Sequence, residues 1–347
     1  MKYRSLGNSG IEVSQICLGT MTWGKQNSQR EGFEQLEYAL DQGINFVDTA
    51  ELYAVPPEAE TYGATETIIG NWLKKTGRRE EVVLASKVAS PREWCSHIRS
   101  GDPKLNRKNI TTALENSLKR LKTDYLDLYQ VHWPERNSNF FGQLGYAGED
   151  QPDTTPIEET LSVLGEFVEQ GKVRHVGISN ETAWGTMQYL RASEEHGLPR
   201  IQAIQNPYSL LNRTFEIGLA ECSHREDVGL LAYSPLGFGV LSGKYCGGAL
   251  PEMSRLALFA DRYSRYSNNE GVSATGKYVA LAHEHGISPA QMALAFVNSR
   301  PFITANIIGA TTINQLKENI SSIEVNLSDD LLQGIEAIHI SQPNPCP

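Results

Sequence analysis

Leu126-Asp127-Leu128-Tyr129-Gln130-Val131-His132 is a short apolar run that ends in a histidine and is closed by Trp133-Pro134. It is too short for a typical helix, and the stretch before it, 110–121, places Ile110, Leu114, Leu118 and Leu121 at helical spacing. A helix followed by a buried strand is one α/β unit, and the unit recurs along the chain. Further strand candidates are 16–18, 44–47, 82–85, 173–178, 201–204, 228–233 and 305–308. Amphipathic stretches at 28–42, 64–76, 156–170, 182–196, 214–225, 288–299 and 313–322 lie between or after them. Eight such alternations favour an all-parallel α/β protein, and the number favours a closed (β/α)8 TIM barrel over a doubly wound sheet. No Gly-x-Gly-x-x-Gly follows the first strand, so a Rossmann site is unsupported. One domain, 1–347, is expected. An N-terminal hairpin around Asn8-Ser9-Gly10 would sit at the barrel bottom. The segments 88–106, 133–155 and 236–275 read as long rim loops, and Ser341 to Pro347 as a frayed tail.

The 347 residues carry 31 Lys and Arg against 41 Asp and Glu, a net charge of −10. An acidic chain without clustered cations argues against nucleic acid or an anionic membrane surface as partner. Mean hydropathy is −0.36, and no apolar run approaches the roughly 20 residues that span a bilayer. The N-terminus lacks an apolar signal core, so a cytoplasmic protein is expected. The five cysteines are scattered without a Cys-x-x-Cys pair, which supports neither a disulfide framework nor a metal site.

Barrel enzymes collect their chemistry at the C-terminal ends of the strands. There this sequence offers Asp48, Lys87 and His132 on three consecutive strands, with Tyr53 in the loop after the first of them. Singly, these could be a helix cap, a solvated lysine and a satisfied histidine; their convergence on one rim carries the argument. A phenol titrates near pH 10 and is a poor acid–base group at neutrality. An ammonium about 4 Å away supplies about 4 kcal/mol at an effective dielectric near 20, equivalent to roughly 3 pKa units. Lys87 is therefore expected to bring Tyr53 toward neutrality, with Asp48 holding Lys87 in place and His132 donating to a substrate oxygen. Such a set can protonate an oxyanion as it forms, the demand of a carbonyl reduced by hydride. No side chain supplies hydride, so a nicotinamide cofactor is implied.

The ordered set Asp48, Tyr53, Lys87 and His132 resembles the catalytic tetrad of the aldo-keto reductases. Supporting motifs run over nearly the whole chain: Leu18-Gly19-Thr20-Met21, Gly177-Ile178-Ser179-Asn180, Gln205-Asn206-Pro207-Tyr208, Tyr233-Ser234-Pro235-Leu236-Gly237, Leu241-Ser242-Gly243-Lys244-Tyr245 and Gly309-Ala310-Thr311-Thr312. The resemblance implies Tyr53 as proton donor, tuned by Lys87, with Asp48 supporting Lys87 and His132 orienting the carbonyl. It implies Ser179, Asn180 and Gln205 at the nicotinamide carboxamide, with Tyr233 stacked on the ring. Ser234, Leu236, Gly237, Gly243 and Lys244 would follow the pyrophosphate. Gly309, Thr311, Gln315, Glu318 and Asn319 would hold the adenosine end, and Thr20 and Met21 would contribute from the first strand. NADPH is the expected cofactor by family habit. The basic run that many relatives carry after the seventh strand is absent, which leaves Arg262, Arg265 and Lys317 as candidates for a 2′-phosphate. Independently of any resemblance, 309–312 precede a helix whose N-terminus favours an anion, and Thr311 or Thr312 can cap it.

A small carbonyl compound is the expected partner, with Trp23 and Trp133 as substrate residues and Trp94, Phe140, Phe141 and Tyr146 nearby on rim loops. The chain also resembles potassium-channel β-subunits in the same motifs, which keeps open a cofactor-sensing binding module with slow turnover. A carboxylate-based barrel hydrolase leaves Tyr53 and Lys87 unexplained.

Overall fold

In the computed structural model, residues 1–148, 151–260 and 263–347 are described. The chain opens with a hairpin of β1 (Tyr3–Ser5) and β2 (Glu12–Ser14), paired antiparallel from Tyr3 against Ser14. Then follow β3 (Ile16–Gly19), α1 (Gln29–Asp41), β4 (Phe46–Asp48), α2 (Ala64–Thr76), β5 (Val83–Val88), α3 (Arg107–Leu121), β6 (Leu126–Val131), α4 (Ile157–Glu169), β7 (Val173–Ser179), α5 (Ala183–His196) and β8 (Ile201–Pro207). The remainder is α6 (Leu219–Arg225), β9 (Gly229–Tyr233), α7 (Arg255–Phe259), α8 (Asn269–Glu284), α9 (Pro289–Asn298), β10 (Ile303–Ile308), α10 (Ile313–Ser321) and α11 (Asp329–Ser341). Strands β3 to β10 pair in parallel in chain order, and β10 closes on β3 as an eight-stranded barrel.

Two apolar layers hold it. Inward-facing Cys17, Phe46, Ala85, Leu128, Ala203, Leu231 and Ala305 fill the barrel, and Leu6 and Val13 of the hairpin complete that cluster from below. The hairpin thus plugs the bottom, as expected, and the Asn8 amide donates to Gln202 Oε1 at 2.8 Å. Outward-facing strand residues meet the helix stripes, as where Tyr129 and Val131 share a core with Ile110, Leu114 and Leu118 of α3. At Gly70 a Cβ would run into the backbone carbonyl of Arg120 and lie 2.7 Å from the carbonyl carbon of Leu121, so α2 and α3 can cross this closely only over a glycine. Gly70→Ala is expected to destabilise the fold by about 3 kcal/mol, as overpacking against unyielding backbone does; a urea midpoint matching the parent protein would refute it.

Three sequence expectations are corrected. The expected helix 214–225 is broken by Gly218, whose φ of +89° lies outside the helical range, so α6 begins at Leu219. The 236–275 segment is not loop throughout, because α7 and the start of α8 lie within it. The tail after Ser341 is docked, not frayed. Cys346 is fully buried and its amide donates to the Leu211 carbonyl at 3.0 Å, while Asn344 Oδ1 accepts from the Arg213 amide at 2.7 Å. Gly271 makes room for the Cys346 thiol. Among the described residues no helix is long and apolar enough to cross a membrane.

Candidate active site

The C-terminal ends of the strands open into a cavity of about 1000 Å³, at the upper end of the range usual for ligand sites. Asp48 is the last residue of β4, Lys87 the penultimate residue of β5, and His132 the first beyond β6. Parallel pairing of β4 to β5 and β5 to β6 therefore brings three distant residues to one rim. Lys87 is completely buried, and its Nζ donates to Asp48 Oδ2 at 2.7 Å and to the Thr49 carbonyl at 2.8 Å. The Tyr53 hydroxyl lies 3.5 Å from Nζ. The His132 ring stands edge-on to Tyr53, with centroids 5.8 Å apart.

Electrostatics at this cluster differ from the sequence expectation. Burial, and after it the Asp48 charge, pushes the Tyr53 phenol well above its ordinary range. Burial also lowers Lys87, opposed by Asp48. The ammonium spends its field on the carboxylate that holds it, so Tyr53 is a firmly protonated phenol in this arrangement. Burial, assisted by Lys87, holds His132 well below its usual value, so the imidazole is neutral. Its Nδ1 is buried without a partner, which leaves Nε2 as the nitrogen available to the cavity. The neutral histidine has a consequence for stability. Below about pH 6.5 the unfolded chain binds a proton at this residue that the folded protein refuses. Stability therefore falls with pH in that window, by up to about 1.4 kcal/mol per unit from one such group. Replacing it (His132→Gln) should flatten urea stability between pH 7 and 5; an unchanged slope would contradict a neutral His132.

A chain of hydrogen bonds extends from the tetrad along the cavity floor. Gln205 Nε2 donates to Asp48 Oδ1 at 2.8 Å, and Thr20 Oγ1 donates to the Asp48 carbonyl at 2.8 Å. Ser179 Oγ donates to the Gln205 carbonyl, Asn180 Nδ2 to Ser179 Oγ and to the His132 carbonyl, and the Tyr233 hydroxyl to Asn180 Oδ1 at 2.6 Å. The positions proposed for carboxamide recognition are thus one network with Asp48. Met21, Ser234, Leu236 and Lys244 also line the cavity. Gly237 and Gly243 do not; with φ of +52° and +81° they turn the segment so that its neighbours do. At the far end, Gly309, Thr311, Gln315, Glu318 and Asn319 line the wall. Thr312, not Thr311, caps α10, while Thr311 Oγ1 and amide both donate to Gln315 Oε1.

Trp133 lines the cavity together with Trp94 and Phe141. Trp23 does not. It is fully buried against α1, its Nε1 donates to Gln35 Oε1 at 3.2 Å, and its place is in the core. Phe140 packs beneath the loop and Tyr146 is exposed; neither lines the cavity. Of the cations named for a 2′-phosphate, Lys317 lies over Tyr38 in a separate outer groove, Arg265 lines the cavity, and Arg262 lies outside the described residues. Sequence reasoning missed Arg255. It is partly buried, lines the cavity, and lies over the rings of Phe238 and Tyr263 at 5.7 and 5.4 Å. Among the described residues no carboxylate pairs with it, and burial pulls its pKa down. Its one sequence signal is a lone cation in front of the apolar run Leu256-Ala257-Leu258.

A closed parallel barrel with this cluster at the strand ends defines an oxidoreductase class, and residues 15–340 match the Aldo/keto reductase family. The chain belongs to that family, whose members generally use NAD(P)H. It is 53% identical to "Protein tas" of Escherichia coli (strain K12) over 347 residues, all of both chains. It is 34% identical to "Uncharacterized oxidoreductase YrpG" of Bacillus subtilis (strain 168), over 97% of this chain and 96% of that one. A rice protein named "Probable voltage-gated potassium channel subunit beta" is 33% identical over 99% of this chain and 98% of its own.

Proposed function

We propose that this protein reduces aldehydes or ketones to alcohols with NADPH, Tyr53 giving the proton. The observation that carries the reading is the Tyr53 hydroxyl at 3.5 Å from Lys87 Nζ, on the wall of a cavity that continues to Gln205, Asn180 and Tyr233. When bound, the reduced nicotinamide supplies hydride to the carbonyl carbon. Its fit is supported by a cavity that also reaches Arg255, which has no carboxylate partner among the described residues, and by the Ser179, Asn180 and Gln205 set. Neutral His132 is suited to donate from Nε2 to the carbonyl oxygen. Tyr53 then hands its proton to that oxygen as charge builds, a transfer that a buried neutral phenol can make to the much more basic alkoxide.

Arg255 supports the phosphorylated cofactor. Its segment meets the adenosine end through neighbours: Gln26 Nε2 donates to the Met253 carbonyl, and Asn27 Nδ2 to the Thr311 carbonyl. A partly buried cation with no carboxylate partner among the described residues is costly, and a 2′-phosphate would relieve it. Arg255→Ala is expected to lower the preference for NADPH over NADH about ten- to a hundredfold, read from dissociation constants by fluorescence quenching. The function is tested by mixing the protein–NADPH complex with 4-nitrobenzaldehyde and following a single turnover at 340 nm (roughly the nicotinamide absorbance band). Cofactor oxidation with alcohol formed supports a reductase. Tight NADPH binding without turnover across a panel of aldehydes would favour the cofactor-sensing alternative that the channel-subunit relatives suggest.

A further inference from the structure

Buried arginines in this chain are matched with care. Arg99 pairs with Glu51, Arg120 with Glu66, Arg79 with Asp127 and Arg213 with Glu216. Arg4 and Arg92, which lack a carboxylate, donate to backbone carbonyls instead. Arg265 shares with Arg255 the lack of a carboxylate but lies at the tetrad end of the cavity. Its guanidinium is mostly buried and lines the cavity, yet among the described residues no carboxylate lies within ion-pair distance, in a chain with 41 acidic residues. The Tyr233 and Tyr266 hydroxyls are its polar partners, and they favour the guanidinium without neutralising it. A cation so held, with no counter-ion beside it, is a site for an arriving anion.

Its place in the cavity says what that something is. On one side the guanidinium lies 5.9 Å from the centroid of Phe141, and a Cβ on Gly142 would come within 2.9 Å of its Nε. Phe141 in turn packs on Trp133 at 6.0 Å and Trp94 at 6.2 Å, the apolar wall of the substrate end. On the other side it is close enough to the Tyr233 hydroxyl to oppose the rise that burial imposes on that phenol. Tyr233 is bonded to Asn180, which is bonded to the His132 carbonyl. Arg265 therefore bridges the substrate wall and the nicotinamide platform, whereas Arg255 lies toward the adenosine end.

We propose that Arg265 receives a carboxylate of the substrate, so that the preferred substrates are apolar or aromatic carbonyl compounds that carry an acid group. This rests on the reading of the site as a carbonyl reductase. The chemistry is oxyanion recognition by a guanidinium, which a cofactor pyrophosphate could also satisfy, and the test separates the two. The full-length protein is given 4-carboxybenzaldehyde and its methyl ester with NADPH, as wild type, Arg265→Met and Arg265→Lys. The ratio of kcat/KM for the acid over the ester should exceed one in the wild type. It should fall about ten- to a hundredfold in Arg265→Met, as expected for a lost charge-assisted hydrogen bond, and recover in part in Arg265→Lys. A ratio unmoved by Arg265→Met overturns the proposal. So does a parallel loss for acid and ester together with weakened NADPH binding, which would assign Arg265 to the pyrophosphate. Binding of 4-toluate to the protein–NADPH complex gives a readout free of turnover. Loss of that binding in Arg265→Met supports the anion site, and binding indifferent to Arg265 overturns it. Failure of the reductase reading has its own signature: no alcohol formed from either aldehyde while toluate binding still depends on Arg265.

Discussion

Replacing Tyr53 by phenylalanine is expected to lower kcat for aldehyde reduction about a thousandfold, within the range typical for removal of a general acid. NADPH should still bind, because the Tyr53 hydroxyl is in contact with Lys87 Nζ at 3.5 Å and, among the described residues, donates to none of the carboxamide residues. The pH profile gives the argument a second edge. Burial and the Asp48 charge raise the phenol above its ordinary value, so the protonated form persists at least to about pH 10. Reduction in the wild type should therefore show no alkaline loss attributable to Tyr53 below that pH. Alcohol oxidation needs the phenolate as base and should climb with pH over the same interval. Steady-state rates in both directions across pH 6 to 10 (roughly the span free of acid and base unfolding) would check this. An alkaline loss of reduction with an apparent pKa near 7 would mean that Lys87 wins over Asp48 and burial, as the sequence alone suggested. Full turnover in Tyr53→Phe would remove the residue from the chemistry altogether.

That disagreement shows where sequence reasoning reaches and where it stops. The barrel was legible because apolar runs such as 126–131 and 201–204 alternate with helical stripes, and because helix 64–76 is bounded by glycines on both sides. The tetrad was legible because strand ends share a rim, so positions far apart in the chain become neighbours by topology. Signs of pKa shifts were not legible, because they depend on who donates to whom. Lys87 Nζ is held at 2.7 and 2.8 Å by Asp48 and Thr49 and reaches Tyr53 only at 3.5 Å, and no spacing rule reports that. Trp23 was misplaced for a related reason: an aromatic residue four positions past a barrel strand can face the cavity or the core, and here Gln35 offers its indole a partner inside. Arg255 and the docked tail were hidden in segments without periodicity, where packing against Phe238 or Gly271 decides the outcome.

Glu51→Ala is expected to cost about 3–5 kcal/mol of stability, the range seen when one partner of a buried ion pair is removed. The Glu51 carboxylate is wholly buried and accepts from Arg99 Nη1 at 2.6 Å, from the Tyr62 hydroxyl at 2.6 Å and from the Ala89 amide at 2.7 Å. Truncation leaves all three donors unsatisfied and strands a guanidinium whose side chain is only 8% exposed. The loss is a penalty on the survivors and not a measure of what the pair contributes, and that distinction can be tested. In the double variant Glu51→Leu, Arg99→Met the stranded charge is gone, and urea unfolding should recover most of the lost midpoint. Recovery of the rate is a separate matter. Glu51 stands two residues before Tyr53, and Ala89 stands two residues after Lys87. Their hydrogen bond therefore ties the loop that carries the phenol to the strand that carries the ammonium. The double variant should regain its fold while kcat stays depressed, because a leucine side chain has no oxygen to accept from the Ala89 amide. A double variant as unstable as Glu51→Ala would mean that Tyr62 and Ala89, and not the buried charge, account for the penalty.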